Sequence, residues 1–143
     1  MLSERIRRLI KRDKMITAPP HATVFEVAGL MLEHNIGAVM VIQDGSLTGI
    51  FTERDAVLRV IAQGRDAHTL RVDEVMTPDP VTVDPEATLG HAMLLMQERG
   101  FRHLPVLENG KPIGIVSARD ALDPDLEDFV CEERRREALR QGE

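Results

Sequence analysis

Tryptophan and tyrosine are absent from this chain, and its aromatic residues amount to Phe25, Phe51, Phe101 and Phe129. A site that depends on stacking must use one of these or do without, which counts against single-stranded nucleic-acid binding, where aromatic platforms line a basic groove. The net charge of −6 counts the same way, because a phosphate backbone rewards a basic surface. Cys131 is the only cysteine, so no internal disulfide can form and nothing indicates an oxidising compartment. No apolar run is long enough to span a bilayer, and the early basic residues Arg5, Arg7, Arg8, Lys11, Arg12 and Lys14 are not followed by the apolar stretch of a secretory signal. The expected address is the cytoplasm, with neither a membrane nor a nucleic acid as partner.

Catalytic patterns are missing as well. Neither G-x-x-x-x-G-K-[ST] nor G-x-G-x-x-G occurs, which removes the P-loop and the dinucleotide fingerprint. His21, His34, His68, His91 and His103 form no i, i+4 pair and have no C-x-x-C companion, so there is no zinc template. Ser117 has no nucleophile elbow around it. The expectation is a protein that is not an enzyme and requires no cofactor.

What is present is a repeat. The 143 residues, 43% hydrophobic and 29% charged, suffice for a packed core. Gly49-Ile50-Phe51-Thr52-Glu53-Arg54-Asp55 recurs as Gly114-Ile115-Val116-Ser117-Ala118-Arg119-Asp120, at an offset of 65 that persists through the flanking segments. The chain divides into an N-terminal helix (1–14), a first repeat (15–64), a linker (65–75), a second repeat (76–122) and a helical tail (123–143).

Taken in order, Ile6, Leu9 and Ile10 behind Ser3 predict a short basic amphipathic helix over 3–13. Met15 to Thr17 reads as an extended piece stopped by Pro19-Pro20. Thr23 caps a helix with Val24, Val27, Ala28, Met31 and Leu32 inward, ending near Asn35 to Gly37. Ala38 to Ile42 and Leu47 to Phe51 form a hairpin around Asp44-Gly45, and a helix follows from Glu53 to about Gln63. In the second copy Val81 to Val83 is the extended piece, and Thr88 caps a helix with Leu89, Ala92, Met93, Leu95 and Met96 inward. A hairpin turns at Asn109-Gly110, and Ser117 opens the last repeat helix. Val72 to Met76 is a single turn that starts the second unit. Asp123-Pro124-Asp125 signals a further helix start. Met31, Met93 and Met96 are expected to fill core space.

The chemistry gathers at two corners. Thr52 with Asp55, and Ser117 with Asp120, stand at i and i+3 where a strand gives way to a helix, so both side chains project from one end and face. A carboxylate there can accept two hydrogen bonds from a vicinal diol, while the hydroxyl and the free N–H groups of the helix start suit a phosphate. The same spacing also describes an N-terminal capping box, which needs no ligand.

V-M-T-P at 75–78, the motif G-h-h-[ST]-x-x-D in both copies, and Arg102-His103-Leu104-Pro105-Val106 resemble the duplicated cystathionine-β-synthase (CBS) domain pair, particularly its stand-alone bacterial members. The resemblance runs from about Met15 to Leu122. It implies an α/β (α+β) fold of duplicated β-α-β-β-α units about a pseudo-two-fold axis, two clefts between the units, dimerisation into a homodimer, and regulation by an adenosine nucleotide such as AMP, ADP or ATP. Carried over, Asp120 would hold the ribose and Ser117 the ribose or phosphate. Val81, Thr82 and Val83 would frame the adenine, and Arg102 and His103 would approach the phosphates. Asp55, Thr52, Ile16, Thr17 and Ala18 take the corresponding places in the first copy. Since Arg102-His103 aligns with Gly37-Ala38, the two corners should not be equivalent, and the sequence leaves open which of them the basic pair serves. The expected function is a sensor that signals to a partner protein. The alternative is a structural dimerisation or protein-interaction module whose corners are only caps.

Overall fold

Thr23 and Thr88 each end an extended stretch and turn it into a helix by the same device. The Thr23 hydroxyl accepts from the Glu26 amide at 3.1 Å and the Thr88 hydroxyl from the His91 amide at 3.2 Å, satisfying donors that a helix start leaves open. In the computed structural model, which describes residues 2–10 and 15–142 and all their side chains but those of 121–131, these helices are α1 (Val24–His34) and α3 (Leu89–Arg99). Asn35 and Gly100 close them in the left-handed conformation, with φ of 51° and 77°.

Each helix leads into a hairpin. β2 (Ala38–Gln43) and β3 (Ser46–Thr52) meet around Asp44-Gly45, and β5 (His103–Glu108) and β6 (Lys111–Ser117) around Asn109-Gly110. All four turn residues have φ between 52° and 79°, the geometry that matches the twist of two-residue hairpins. β1 (Thr17–Ala18) joins β2 in parallel, Thr17 opposite Met40, and β4 (Thr77–Pro78) joins the far edge of β3, Thr77 opposite Ile50. The first sheet therefore runs β1-β2-β3-β4, β5 and β6 form a second, and β3 touches β6. After β3 the chain enters α2 (Glu53–Asp55), continues as a π-helical stretch (Ala56–Ile61) and turns at Gly64 with φ of 64°. After β6 it enters α4 (Ala118–Gln141).

Alternation along the strands makes two cores. Val39, Val41 and Phe51 point from the first sheet to Val24, Val27 and Met31 of α1, while Leu104, Val106 and Val116 meet Leu89, Ala92 and Met96 of α3. Ala38, Met40 and Ile50, also buried, belong to neither cluster.

The segments that complete these cores are exchanged between the repeats. Residues 66–76 pack on the first repeat: Val24 donates to Leu70 O and Val72 to Ala22 O, and Leu70, Val72 and Val75 are buried in the first core. Residues 2–10 pack on the second: Leu89 donates to Glu4 O, Ile6 to Ala87 O and Arg7 to Pro85 O, and Ile6 is fully buried in the second core. A 3₁₀ turn sits in each arm, Ile6–Arg8 in one and Val72–Glu74 in the other.

Three expectations need correction. The helix expected over 3–13 is that 3₁₀ turn, because Ile6 and Arg7 donate to Ala87 O and Pro85 O while Glu4 O and Leu2 O accept from Leu89 and Gly90, leaving only a short set of bonds within the segment; residues 11–14 lie outside the described residues. The turn expected at Val72 is present as Val72–Glu74, and the Val72 side chain packs in the first core. Ala28 and Leu32 face outward, Leu32 being 86% exposed, since the sheet covers only the stripe through Val24, Val27 and Met31. No new helix starts at Asp123: α4 runs through Pro124, whose missing N–H removes one backbone bond without ending the helix.

Candidate functional site

Both hydroxyl-and-acid corners are capping boxes. At the first, Asp55 N donates to Thr52 Oγ1 (3.2 Å) and Thr52 N to Asp55 Oδ2 (3.0 Å). At the second, Asp120 N donates to Ser117 Oγ (3.3 Å) and Ser117 N to Asp120 Oδ2 (2.7 Å). The same sequence pattern thus produces the same local geometry twice.

The surroundings differ. Asp55 is 6% exposed, and its carboxylate is occupied: Thr52 Oγ1 donates to Oδ2 at 3.2 Å, Thr77 Oγ1 to Oδ1 at 3.4 Å, and Arg59 Nε lies 3.6 Å from Oδ1. Arg59 also donates to Met76 O at 3.0 Å, tying the arm 66–76 over the corner. Asp120 is half-buried and, among the described residues, its Oδ1 accepts no hydrogen bond.

Asp120 and Ser117 open into a cleft of about 970 Å³. Besides them the second repeat supplies Arg102, His103, Gly114, Ile115, Ala118 and Arg119. The first supplies Met15, Ile16, Asn35 to Ala38, Met40 and Glu53, and the N-terminal arm adds Leu9 and Ile10. The volume is that of a small-molecule site, with apolar and polar walls in comparable measure. The glycine of each repeated motif lets an arm approach the strand. A β-carbon on Gly114 would lie 3.0 Å from Ile10 Cβ, and one on Gly49 would lie 2.9 Å from Met76 Cε.

Of the residues singled out in the sequence, the structure gathers Ile16, Arg102, His103, Ser117 and Asp120. The basic pair lies in the cleft with Asp120. Thr52 and Asp55 form the other corner. Thr17 and Ala18 are tied to β2, with Ala18 3% exposed. Val81, Thr82 and Val83 do not line this cleft; Val83 is buried in the second core, donating to Pro105 O and accepting from Leu107 N. Sequence reasoning missed Glu53, Arg119, Met15 and the arm residues. Position 53 does lie beside Thr52, but only the pairing of the two repeats shows that it faces His103.

The imidazole of His103 and the carboxyl of Glu53 meet across the repeats at Gly37: a β-carbon there would be 3.4 Å from the ring and 3.5 Å from Glu53 Cδ. Burial pushes the His103 pKa below its ordinary value, with Arg102 adding to the shift and Asp120 and Glu53 opposing it. Among the described residues no three His, Cys, Asp or Glu side chains gather as a metal-holding group, and no helix is long and apolar enough to cross a membrane.

Two like α/β halves with exchanged arms and a nucleoside-sized cleft between them define a class, and comparison with known proteins supplies its family. The CBS domain model matches residues 6–62 and 72–126. The CBS domain-containing protein YhcV of Bacillus subtilis is 40% identical over 107 residues, covering 75% of this chain and 76% of its own. Two further relatives, from Methanopyrus kandleri and Arabidopsis thaliana, are matched over 63% and 61% of their length. A protein with CBS domains from Burkholderia ambifaria superposes with a TM-score of 0.81 at 34% identity, covering 87% of this chain and 96% of its own. The CBS domain pair of protein MJ0100, solved with 5′-methylthioadenosine and S-adenosyl-L-methionine, shares the fold with a TM-score of 0.75 at 23% identity, covering 82% of this chain and 96% of its own. The chain belongs to the CBS domain family: it is a tandem CBS pair, a module of the regulatory kind.

Proposed function

We propose that this CBS pair senses an adenosine nucleotide in the cleft between its repeats and passes occupancy to a partner protein. The observation that carries the reading is the Ser117–Asp120 corner, with one carboxylate oxygen left without a described donor, opening into a cleft that also holds Arg102 and His103. Asp120 takes the ribose diol, Ser117 and the first amides of α4 take the near oxygen of a phosphate, and Arg102 and His103 take its charge. Met15 and Ile16 border the base. The Asp55 corner is the lesser candidate, because its carboxylate is buried and already engaged. The adenosine compounds held by MJ0100 support the ligand class.

Signalling requires something beyond the cleft. Phe25, Leu32, Val57, Leu58 and Ile61 are 47% to 86% exposed on α1 and the π-helical stretch, an apolar surface that suits a second copy of the chain. We therefore read the working form as a homodimer. The lone Cys131 favours the cytoplasm. Occupancy shifts the pair toward whichever arrangement of the repeats the ligand prefers, and the partner reads that shift.

Calorimetric titration with AMP, ADP, ATP, NADH and S-adenosylmethionine, on the wild type and on Asp120→Asn, tests the reading. Heat with at least one compound, weakened tenfold or more by the substitution, is expected. The second reading, a dimerisation module without a ligand, is favoured by the capping boxes at both corners, and silence toward every compound would select it.

A further inference from the structure

The cleft wall is not uniformly basic. Its charged described residues are Arg102, Arg119, Glu53 and Asp120, with His103 among them. Asp120 is committed to its cap and, on the reading above, to a ribose. Glu53 has no such task. It opens α2 with its amide bonded to Gly37 O at 3.1 Å, which fixes its backbone at the rim, and its carboxyl packs against the glycine that His103 also touches. The matching position of the second repeat is Ala118, which lines the same cleft, so the carboxylate is present on one side only.

A phosphate leaving the ribose toward Arg102 and His103 therefore meets two cationic or proton-accepting groups first and a carboxylate immediately beside them. One phosphate can be held by Arg102. Each further phosphate adds negative charge on the side of the cleft that carries the Glu53 carboxylate, away from Arg119, which neighbours Asp120 in the chain. Two like charges about 6 Å apart cost between about threefold in binding at the dielectric of water and about a hundredfold at that of a protein surface. An uncharged or cationic tail meets no such penalty.

We propose that Glu53 is the residue that sets ligand specificity, making the cleft select adenosine compounds with at most one phosphate, or with a cationic tail, over those with a polyphosphate chain. The inference rests on the adenosine-sensing reading. Glu53 contributes through its charge, and Gly37 by lacking a side chain that would separate the carboxyl from the imidazole.

The test is calorimetry with adenosine, AMP, ADP and ATP on the full chain, comparing the wild type with Glu53→Gln and, as a charge control distant from the cleft, Glu26→Gln. Wild-type affinity should fall from AMP to ADP to ATP. Glu53→Gln should raise the ratio of ATP to adenosine affinity about tenfold, an effect that shrinks with added salt, while Glu26→Gln leaves the ratio where it was. A wild type that binds ATP as tightly as AMP, or a ratio unmoved by Glu53→Gln, overturns the assignment of Glu53 while leaving adenosine sensing in place. Failure of all four compounds, and of NADH and S-adenosylmethionine alongside them, to bind overturns both.

Discussion

Ile10 lies on the bare α-carbon of Gly114, and this contact joins the N-terminal arm to the last strand of the second repeat. A β-carbon at 114 would stand 3.0 Å from Ile10 Cβ and 3.2 Å from its Cγ2, closer than packed side chains tolerate. Gly114→Ala should therefore lower stability by about 1–3 kcal/mol through overpacking. Adding Ile10→Ala should return part of the loss, and a double-mutant cycle by denaturant unfolding measures the coupling. Additive effects would show that the arm does not rest on this strand.

The two aspartates should separate on substitution. Asp55→Ala removes a buried acceptor from the Thr52 amide and hydroxyl and from the Thr77 hydroxyl, and should cost about 1–3 kcal/mol. Asp120→Ala loses only the capping interaction with Ser117 and should cost about 1 kcal/mol. Urea melts of the two variants give the comparison, and equal losses would contradict the difference in burial.

His103 ties stability to pH. Its folded pKa is held below the ordinary value of about 6.5, so the unfolded chain binds the proton more readily and stability rises with pH across this range. The contribution is fully present above about pH 6.5 and is lost as pH falls through the lowered folded pKa. His103→Gln should flatten that slope in thermal melts between about pH 5 and 7.5. A phosphorylated ligand favours the protonated ring, so its affinity should move the opposite way, tightening as pH falls. Parallel slopes for stability and affinity would remove His103 from phosphate recognition.

The outer face of α1 and of the helix after α2 should behave as an interface. Leu32 and Ile61, 86% and 72% exposed, gain nothing from the fold of a single chain. Leu32→Glu with Ile61→Glu should leave the monomer's melting behaviour close to wild type and lower the mass seen in sedimentation from dimer to monomer. A wild type that already sediments as a monomer defeats the proposal.

What could be read from the sequence was what local chemistry decides. Thr23 and Thr88 announce helix starts, Asp44-Gly45 and Asn109-Gly110 announce hairpins, and Ser117 with Asp120 announces the corner, because each acts on backbone within a few residues. Partners across the repeats could not be read. Val72 precedes the second copy in chain order, and its apolar character does not tell which core it enters. Ala28 and Leu32 keep helical spacing with Val27 and Met31, but periodicity identifies a stripe without identifying what covers it. Glu53 remained hidden for the same reason: its neighbour His103 is brought to it by the approach of two units, not by spacing.

The exchanged arms also set an order of events during synthesis. Residues 66–76 close the first repeat as soon as they emerge, since their partners Ala22 and Val24 are already made. Arg7 must wait far longer: its ion-pair partners Glu86 and Glu108 lie 79 and 101 positions downstream. That segment is thus made long before it can find its place, and an apolar Ile6 travels without a core until α3 has been translated.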